Sequence, residues 1–302
     1  MSKLSVVLSV LNVEKEIEEV LKSVSFADEI ILVDNGSSDR TLEIAKKYKT
    51  KIFERENNLM LNVNKNYGFS KATGDWILNI DGDESVSKEL KEEIVKIFKE
   101  DKTEVIGYWM PRKNIIFGKW IQHSIWWPDY QLRLFKRGKG KFEEKDVHEY
   151  IKVDGRTEKL TGFLMHNNYS SVSQFIEKMD KIYTENEAEG IIKEGRNLEW
   201  LDAIRFPVDD FLKTFFAQKG YKDGLHGLVL SILQAFYAEV VFAKAWERQG
   251  FKEYNSPSFL KEVYKEFKKI SKEFKYWFLT SSIQDSGNIF KKTVYKLKRR
   301  LP

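Results

Sequence analysis

Asp81-Gly82-Asp83-Glu84 places three carboxylates directly after an apolar run, Trp76-Ile77-Leu78-Asn79-Ile80, that reads as a buried strand. On extended backbone, side chains two residues apart point the same way, so Asp81 and Asp83 can converge on one ligand. Gly82 puts no side chain between them. Clustered anionic oxygens suit a hard divalent cation, Mg2+ or Mn2+. In open α/β sheets, ligands bind beyond the carboxyl ends of the strands. The tetrapeptide therefore reads as a cation site able to hold a diphosphate. Two plainer readings stand beside it. One is a solvated turn leading into the amphipathic helix that Ser87 would cap ahead of Lys88-Glu89-Leu90. The other is a calcium loop, because Asp81, Asp83, Ser85, Ser87 and Glu92 are suitably spaced. That loop needs Gly where Val86 stands, and a helix where a strand precedes it.

Two further groups could act with this cluster. Asn12 and Asp34 close the first two apolar runs. Asp34 could accept hydrogen bonds from a base or ribose, or simply cap the Gly36-Ser37-Ser38 turn. Between residues 126 and 149 lie Trp126-Trp127-Pro128-Asp129-Tyr130, Arg133 and Val147-His148-Glu149. Aromatic faces suit sugar rings or apolar acceptors. Arg133 could neutralise a phosphate, and Glu149 or Asp129 could take a proton from an attacking hydroxyl. His148 and His166 are the imidazoles best placed for a metal or phosphate contact. No G-x-G-x-x-G, Walker loop, G-x-S-x-G or H-E-x-x-H is present. The absence of cysteine excludes disulfides, zinc-thiolate centres and cysteine nucleophiles.

The elements that must position these groups alternate over the first hundred residues. Strands are expected at 5–11, 29–33, 51–54 and 76–80, with helices at 14–24, 40–48 and 62–72, which is the pattern of a doubly wound, mostly parallel sheet. Short β pieces follow at 105–110, 131–136, 147–153 and 160–165. From residue 171 the chain reads helical, at 172–190, 207–219, 224–248, 257–279 and 286–300. The expected division is a catalytic domain over 1–170 and a helical region over 171–302. The 302 residues are 42% hydrophobic and carry net charge +5, which alone does not indicate nucleic acid. The apolar run after Gly224 approaches membrane-spanning length. His226, Gln234 and Glu239 argue for a buried or membrane-surface helix instead. The lysine- and aromatic-rich helices after residue 257 fit an anionic membrane surface or a solvated face. Residues 5–11 are too short an apolar run for a secretory signal. The chain is expected in the cytosol, with the inner membrane face as a second address.

In its order of motifs the chain resembles the family-two glycosyltransferases, which have the GT-A fold. The resemblance rests on Ser9-Val10-Leu11-Asn12 with Glu16-Ile17, Ile31-Leu32-Val33-Asp34-Asn35-Gly36-Ser37-Ser38-Asp39, Asn66-Tyr67-Gly68, Ala72-Thr73-Gly74-Asp75-Trp76 and Asp81-Gly82-Asp83-Glu84, across roughly residues 4–100. Asp81-Gly82-Asp83 matches the family's DXD motif. Residues 118–170 look like the lipopolysaccharide-core β-glucosyltransferase-like branch, through Trp127-Pro128-Asp129, Arg133-Leu134-Phe135, Val147-His148-Glu149 and His166-Asn167-Asn168-Tyr169. Many members place a Glu-Asp pair before a C-terminal helix. This chain lacks it, and Val147-His148-Glu149 stands in that region.

The resemblance implies a GT-A-type doubly wound mixed sheet with a C-terminal helical region. It implies inverting transfer from a nucleotide-sugar, UDP-sugar favoured, to a saccharide or lipid-linked hydroxyl in cell-envelope glycan or lipopolysaccharide synthesis. Asp83 would bind the metal directly, with Asp81 on the ribose and assisting, and His166 beside them. Asp34 would contact the base, Asn12 would line its pocket, and Arg133 would meet phosphate. Glu149, ahead of Asp129, would be the base. Two other classes use the same features: a metal-dependent nucleotidyl or phosphoryl transferase, and a non-catalytic membrane-surface adaptor.

Overall fold

The computed structural model describes residues 2–56, 61–100, 104–144 and 149–300. They form two compact units. The first holds residues 1–120 and 126–170, and the second holds 121–125 and 171–302.

The first unit is built on one twisted sheet. Its strands are β1 (Leu4–Val10), β2 (Glu29–Asp34), β3 (Lys51–Glu54), β4 (Trp76–Asp81), β5 (Glu84–Val86), β6 (Val105–Ile116), β7 (Lys119–Trp120), β8 (Asp129–Lys136), β11 (Arg156–Lys159) and β12 (Leu164–Tyr169), while β9 (Gly140–Lys141) and β10 (Lys152–Val153) pair as a separate two-stranded sheet. The main order is β3-β2-β1-β4-β8-β6-β12-β5. β3, β2, β1 and β4 are mutually parallel, and β8 then enters antiparallel to both β4 and β6. The sheet is thus doubly wound at one end and mixed at the other.

Alternation along β1 explains how it is covered. Leu4, Val6, Leu8 and Val10 face a core completed by Ile17, Val20 and Leu21 of α1 (Ile17–Ser23) and by Leu90, Ile94 and Phe98 of α4 (Lys88–Glu100). Val7 joins Ile31, Val33 and Ile77 on the other face, under Phe69 of α3 (Leu61–Lys71). There α3 approaches so closely that a Cβ on Gly68 would sit 2.5 Å from Val7 Cγ1. The short α2 (Thr41–Ala45) follows the turn after β2.

Several elements differ from the sequence expectation; among them, β10 is the described strand within the piece expected at 147–153. α1 begins at Ile17 rather than Glu14, because the backbone N–H groups of Asn12, Val13 and Glu14 already donate to Ser37 Oγ, Thr41 Oγ1 and Asp39 Oδ2. β6 runs 12 residues, past the expected end at 110, since it pairs along its length with β8, β12 and β11. The piece expected at 160–165 falls mostly between strands, since β11 ends at Lys159 and β12 begins at Leu164.

The second unit is helical: α5 (Val172–Lys178), α6 (Thr184–Lys193), α7 (Asp202–Phe211), α8 (Leu225–Arg248), α9 (Phe259–Asp285) and α10 (Ile289–Arg300). Ser171 caps α5 through its Oγ, which accepts from Gln174 N–H at 3.2 Å. Phe242 and Ala245 of α8 pack with Ala188 of α6 and Phe206 of α7. α8 is the one helix among the described residues long and apolar enough, by length and composition, to cross a membrane.

Glu29 ties the amino ends of the strands together. Its carboxylate accepts from Ser5 Oγ at 2.5 Å, Thr73 N–H at 2.9 Å and Lys51 Nζ at 2.6 Å. Burial alone would raise its pKa. Lys51 and the hydroxyl and amide donors outweigh that and pull it down to about 2. A carboxyl depressed on folding contributes stability that is present above its unfolded pKa and is lost as pH falls through the folded one. Glu29→Gln should therefore lower Tm at pH 7, and the gap to the parent should close between about pH 4.5 and pH 2. A thermal melt series across that range checks it. A gap that stays constant would remove Glu29 from the acid response.

Candidate active site

The site forms at the carboxyl ends of β2, β1 and β4. Register places Val10 beside Asp34 and Ser9 beside Asp81. Asp34 and Asp81 therefore flank β1 one strand away on either side, about 10 Å apart at the usual strand spacing. The strand order reverses here, and a crevice opens where connections diverge to opposite faces of such a sheet.

On the β2 side, Asp34 is buried. Its Oδ2 accepts from the backbone N–H groups of Gly36 and Ser37, each at 3.0 Å, which fixes the turn. Its Oδ1 has no partner among the described residues. Asn35 beside it donates to Val10 O at 2.8 Å and Ser9 Oγ at 3.1 Å, and Asn64 donates to its Oδ1. Arg55 donates to Asn64 Oδ1 at 2.9 Å and lies over the Tyr67 ring. Asn12, in left-handed backbone, uses its side-chain oxygen to accept from Ser38 N–H at 2.8 Å. It clamps the turn that carries Asp34.

On the β4 side the acidic tetrapeptide divides. Glu84 turns inward and is fully buried. Its Oε2 accepts from Asp81 N–H at 3.0 Å, closing the turn over Gly82. From it a chain of alternating charges crosses the sheet. Arg133 of β8 joins Glu84 at 2.8 Å and Asp81 at 2.6 Å. Lys65 of α3 holds the other oxygen of Asp81 at 2.6 Å. Arg112 of β6 reaches Glu84 at 3.4 Å and Asp129 at 2.6 Å. Burial would raise the Asp81 pKa, but the charges of Arg133 and Lys65 hold it well below the usual carboxylate range. Arg133, expected to meet a phosphate, is instead buried and committed to these two carboxylates.

Asp83 points elsewhere. β5 pairs antiparallel with β12, with His166 opposite Glu84, and Asn167 N–H donates to Asp83 O at 3.1 Å. This pairing brings His166 Nε2 to 3.6 Å from Asp83 Oδ2. Asn114 fixes the imidazole. Its Nδ2 donates to Trp126 O at 2.8 Å, so its Oδ1 accepts from His166 Nδ1, 2.7 Å away. A neutral ring with Nδ1–H so engaged presents its Nε2 lone pair toward Asp83, an arrangement common in metal-ligating histidines. Glu16 senses the same neighbourhood. Burial first, then the charge of Asp83, raise its pKa.

The two candidate bases differ. Asp129 is boxed in: Arg112 and Asn114 hold Oδ2, and Gln131 donates to Oδ1 at 2.8 Å. Burial alone would raise its pKa, but Arg112 and these amide donors lower it. Glu149 accepts from Glu144 N–H at 2.8 Å. The same segment is tied to α3, because Asn66 donates to Phe142 O and to Glu144 Oε1. Val147 and His148 lie outside the described residues. Trp126 and Trp127 pack edge-on against Tyr169 and Trp120. Sequence reasoning missed Lys65, Arg112, Asn114 and the Asn35–Asn64–Arg55 relay. Only Lys65 carried a local signal, since it directly precedes the Asn66-Tyr67-Gly68 motif.

The model of glycosyl transferase family 2 matches residues 5–166. The chain belongs to this family. An uncharacterized glycosyltransferase of Rickettsia typhi is 29% identical over 260 residues, covering 82% of this chain and 88% of that protein. The lipopolysaccharide core biosynthesis glycosyltransferase LpsC of Rhizobium meliloti is 27% identical over 255 residues, covering 82% of this chain and 94% of LpsC. Among solved structures, S. aureus TarS in complex with UDP-GlcNAc aligns at 16% identity and TM-score 0.46, covering 84% of this chain and 93% of that one. By its family the enzyme is a glycosyltransferase, and the mixed sheet of its first unit is the GT-A-type sheet expected of that family.

The charge chain makes a stability prediction. Glu84→Gln keeps the shape but leaves Arg133 and Arg112 facing each other with one anion fewer. Loss of one partner from a buried ion network typically costs about 3 kcal/mol or more. Urea unfolding should show that loss. A cost under about 1 kcal/mol would mean that Glu84 is not the centre of the network.

Proposed function

We propose that the enzyme transfers a sugar with inversion from a nucleotide-sugar, UDP-sugar favoured, to a hydroxyl of a cell-envelope saccharide such as a lipopolysaccharide core. The observation that carries this reading is the pairing of Asp34 and Asp83 at the strand-order reversal. A buried, unpartnered carboxylate oxygen lies on one side of β1, and an Asp–His pair lies on the other. Asp34 Oδ1 suits an N–H donor of the kind uracil presents at N3. The acceptor class rests on the likeness to LpsC of Rhizobium meliloti.

The residues fit a divalent cation in one limited way. No group of three or more His, Cys, Asp or Glu side chains gathers to hold one among the described residues. Mg2+ and Mn2+ sites for phosphates commonly use only one or two carboxylates, with substrate oxygens and water completing the shell. Asp83 and His166 would hold it. Asp81 would not without giving up Lys65 or Arg133, which shifts the expected weight from Asp81 to its neighbours. When bound, such a cation neutralises charge that develops on the departing diphosphate. The chain's own residues then have separable tasks. Asp34 orients the base, Lys65 and Arg133 keep Asp81 ionised and fixed, and Asn114 sets the His166 tautomer. Glu149 takes the acceptor proton as the hydroxyl attacks the anomeric carbon from the face opposite the diphosphate. Asp129, with its charge already satisfied by Arg112, is the weaker base.

Two measurements test this. Calorimetric titration of UDP with and without Mn2+ should show metal-enhanced affinity that disappears in Asp83→Asn and in His166→Ala. Full retention of metal-enhanced binding in both folded variants would overturn the cation assignment. Glu149→Gln should cut turnover about 10²-fold with donor affinity unchanged. If Asp129→Asn abolishes turnover in a protein of parental stability while Glu149→Gln does not, the proton goes to Asp129.

A further inference from the structure

The second unit presents an apolar stripe whose charged border identifies its partner. At about 100° per residue, Leu260, Tyr264, Phe267 and Phe278 of α9 fall within one narrow sector of the helix. They are 82%, 59%, 54% and 57% exposed. Ser271 and Phe274, which stacks on Phe211 of α7, interrupt the row between Phe267 and Phe278, and exposed large apolar side chains recurring on one face mark a binding surface. Along one edge of this row stand Lys268, Lys272 and Lys275, and the Lys268 ammonium lies 4.5 Å from the centre of the Tyr264 ring. Three of the four acidic residues of α9, Glu262, Glu266 and Glu273, face away, and the fourth, Asp285 at its C-terminal end, is paired with Lys222 at 2.9 Å. Glu266 and Glu273 project from the far side of α9, where both pair with Arg205 of α7. α10 packs on α9, with Arg299 over Tyr276. Four lysines, two arginines and no carboxylate occur in its 12 residues. Residues 259–300 hold 12 basic and four acidic side chains, a surplus of eight that exceeds the net +5 of the entire chain.

We propose that α9 lies in the plane of an anionic phospholipid bilayer, with its aromatic stripe in the acyl boundary and its lysines on the headgroup phosphates. Exposed aromatics bordered by lysine are the pattern of an interfacial helix. A second copy of this chain would bring lysine edges against each other. A nucleic acid would satisfy the lysines but leave the apolar row in water. The exposed row on α8, through Leu225, Ile232 and Phe236, has no comparable lysine border and names no partner.

Co-sedimentation of the full chain with vesicles tests this without reference to turnover, so it stands or falls apart from the proposed transfer chemistry. The protein should pellet with phosphatidylcholine vesicles containing 40% phosphatidylglycerol at low salt. It should stay in the supernatant with pure phosphatidylcholine, and it should be released from the anionic vesicles by high salt. Leu260→Ser/Phe267→Ser/Phe278→Ser should weaken binding at least about tenfold at unchanged charge. Lys268→Gln and Lys272→Gln should each cost about fivefold. Because these side chains are exposed, melting by circular dichroism should match the parent. A parent that remains in the supernatant with anionic vesicles at low salt overturns the proposal. So does a triple serine variant that binds as the parent does. So does a stripe that drives dimerisation, or binds an oligonucleotide, with no vesicle uptake.

Discussion

Glu84 is the residue on which the geometry of the first unit depends. A carboxylate with no solvent exposure must be matched by cation and hydrogen-bond donors or it will not stay ionised. Here the match comes from three strands at once: Arg133 on β8, Arg112 on β6 and the Asp81 backbone on β4. Extended through Lys65 and Asp129, the series runs minus, plus, minus, plus, minus, plus, and it balances. Each member is placed by the sign of its neighbours, so strands distant in sequence are held in one register. The tight turn at residues 81–84, on which everything at this edge rests, is a by-product of that satisfaction.

Two carboxylates two residues apart therefore live in different surroundings. Asp81 is matched by Lys65 and Arg133, whereas Asp83 leaves the charge series and meets an imidazole. Asp34 solves a third problem. One of its oxygens holds a turn, and the other is buried without a partner, which is costly unless a ligand supplies the donor. Catalytic sites tolerate such unpaid local costs when surrounding structure fixes them. Here the fixing comes from the Asn12 clamp and the Asn35–Asn64–Arg55 relay.

The strand-end carboxylates were legible because the cues are local: an apolar run of strand length, period-two spacing and a glycine. The mostly parallel sheet was legible from the alternation of strands and helices, whereas its strand order was not. Glu84 reads in sequence as a third surface carboxylate, and Arg133 as a phosphate ligand. Both readings fail on one point, namely that each finds its counter-charge 49 residues away in the other. Asn114 and Arg112 were invisible because nothing nearby in the chain marks them. Their function exists only once β6 lies between β8 and β12. The start of α1 moved to Ile17 because N–H groups at 12–14 are spent on side chains 25 to 28 residues distant. Local pattern finds the groups that face a ligand, and long-range pairing decides which of them are free to do so.

The same division bears on where added positive charge belongs. At Asp81 the protein has supplied it already, and the carboxyl pKa is held down. Near Asp83, Glu16 is pushed the other way, first by burial and then by the Asp83 charge. A carboxylate facing an imidazole lone pair at 3.6 Å is repulsive unless a cation or a proton comes between them. The tripeptide thus separates two surroundings that its symmetry in sequence conceals: Asp81 anchors the fold at the crevice between Lys65 and Arg133, and Asp83 stands beside the His166 imidazole.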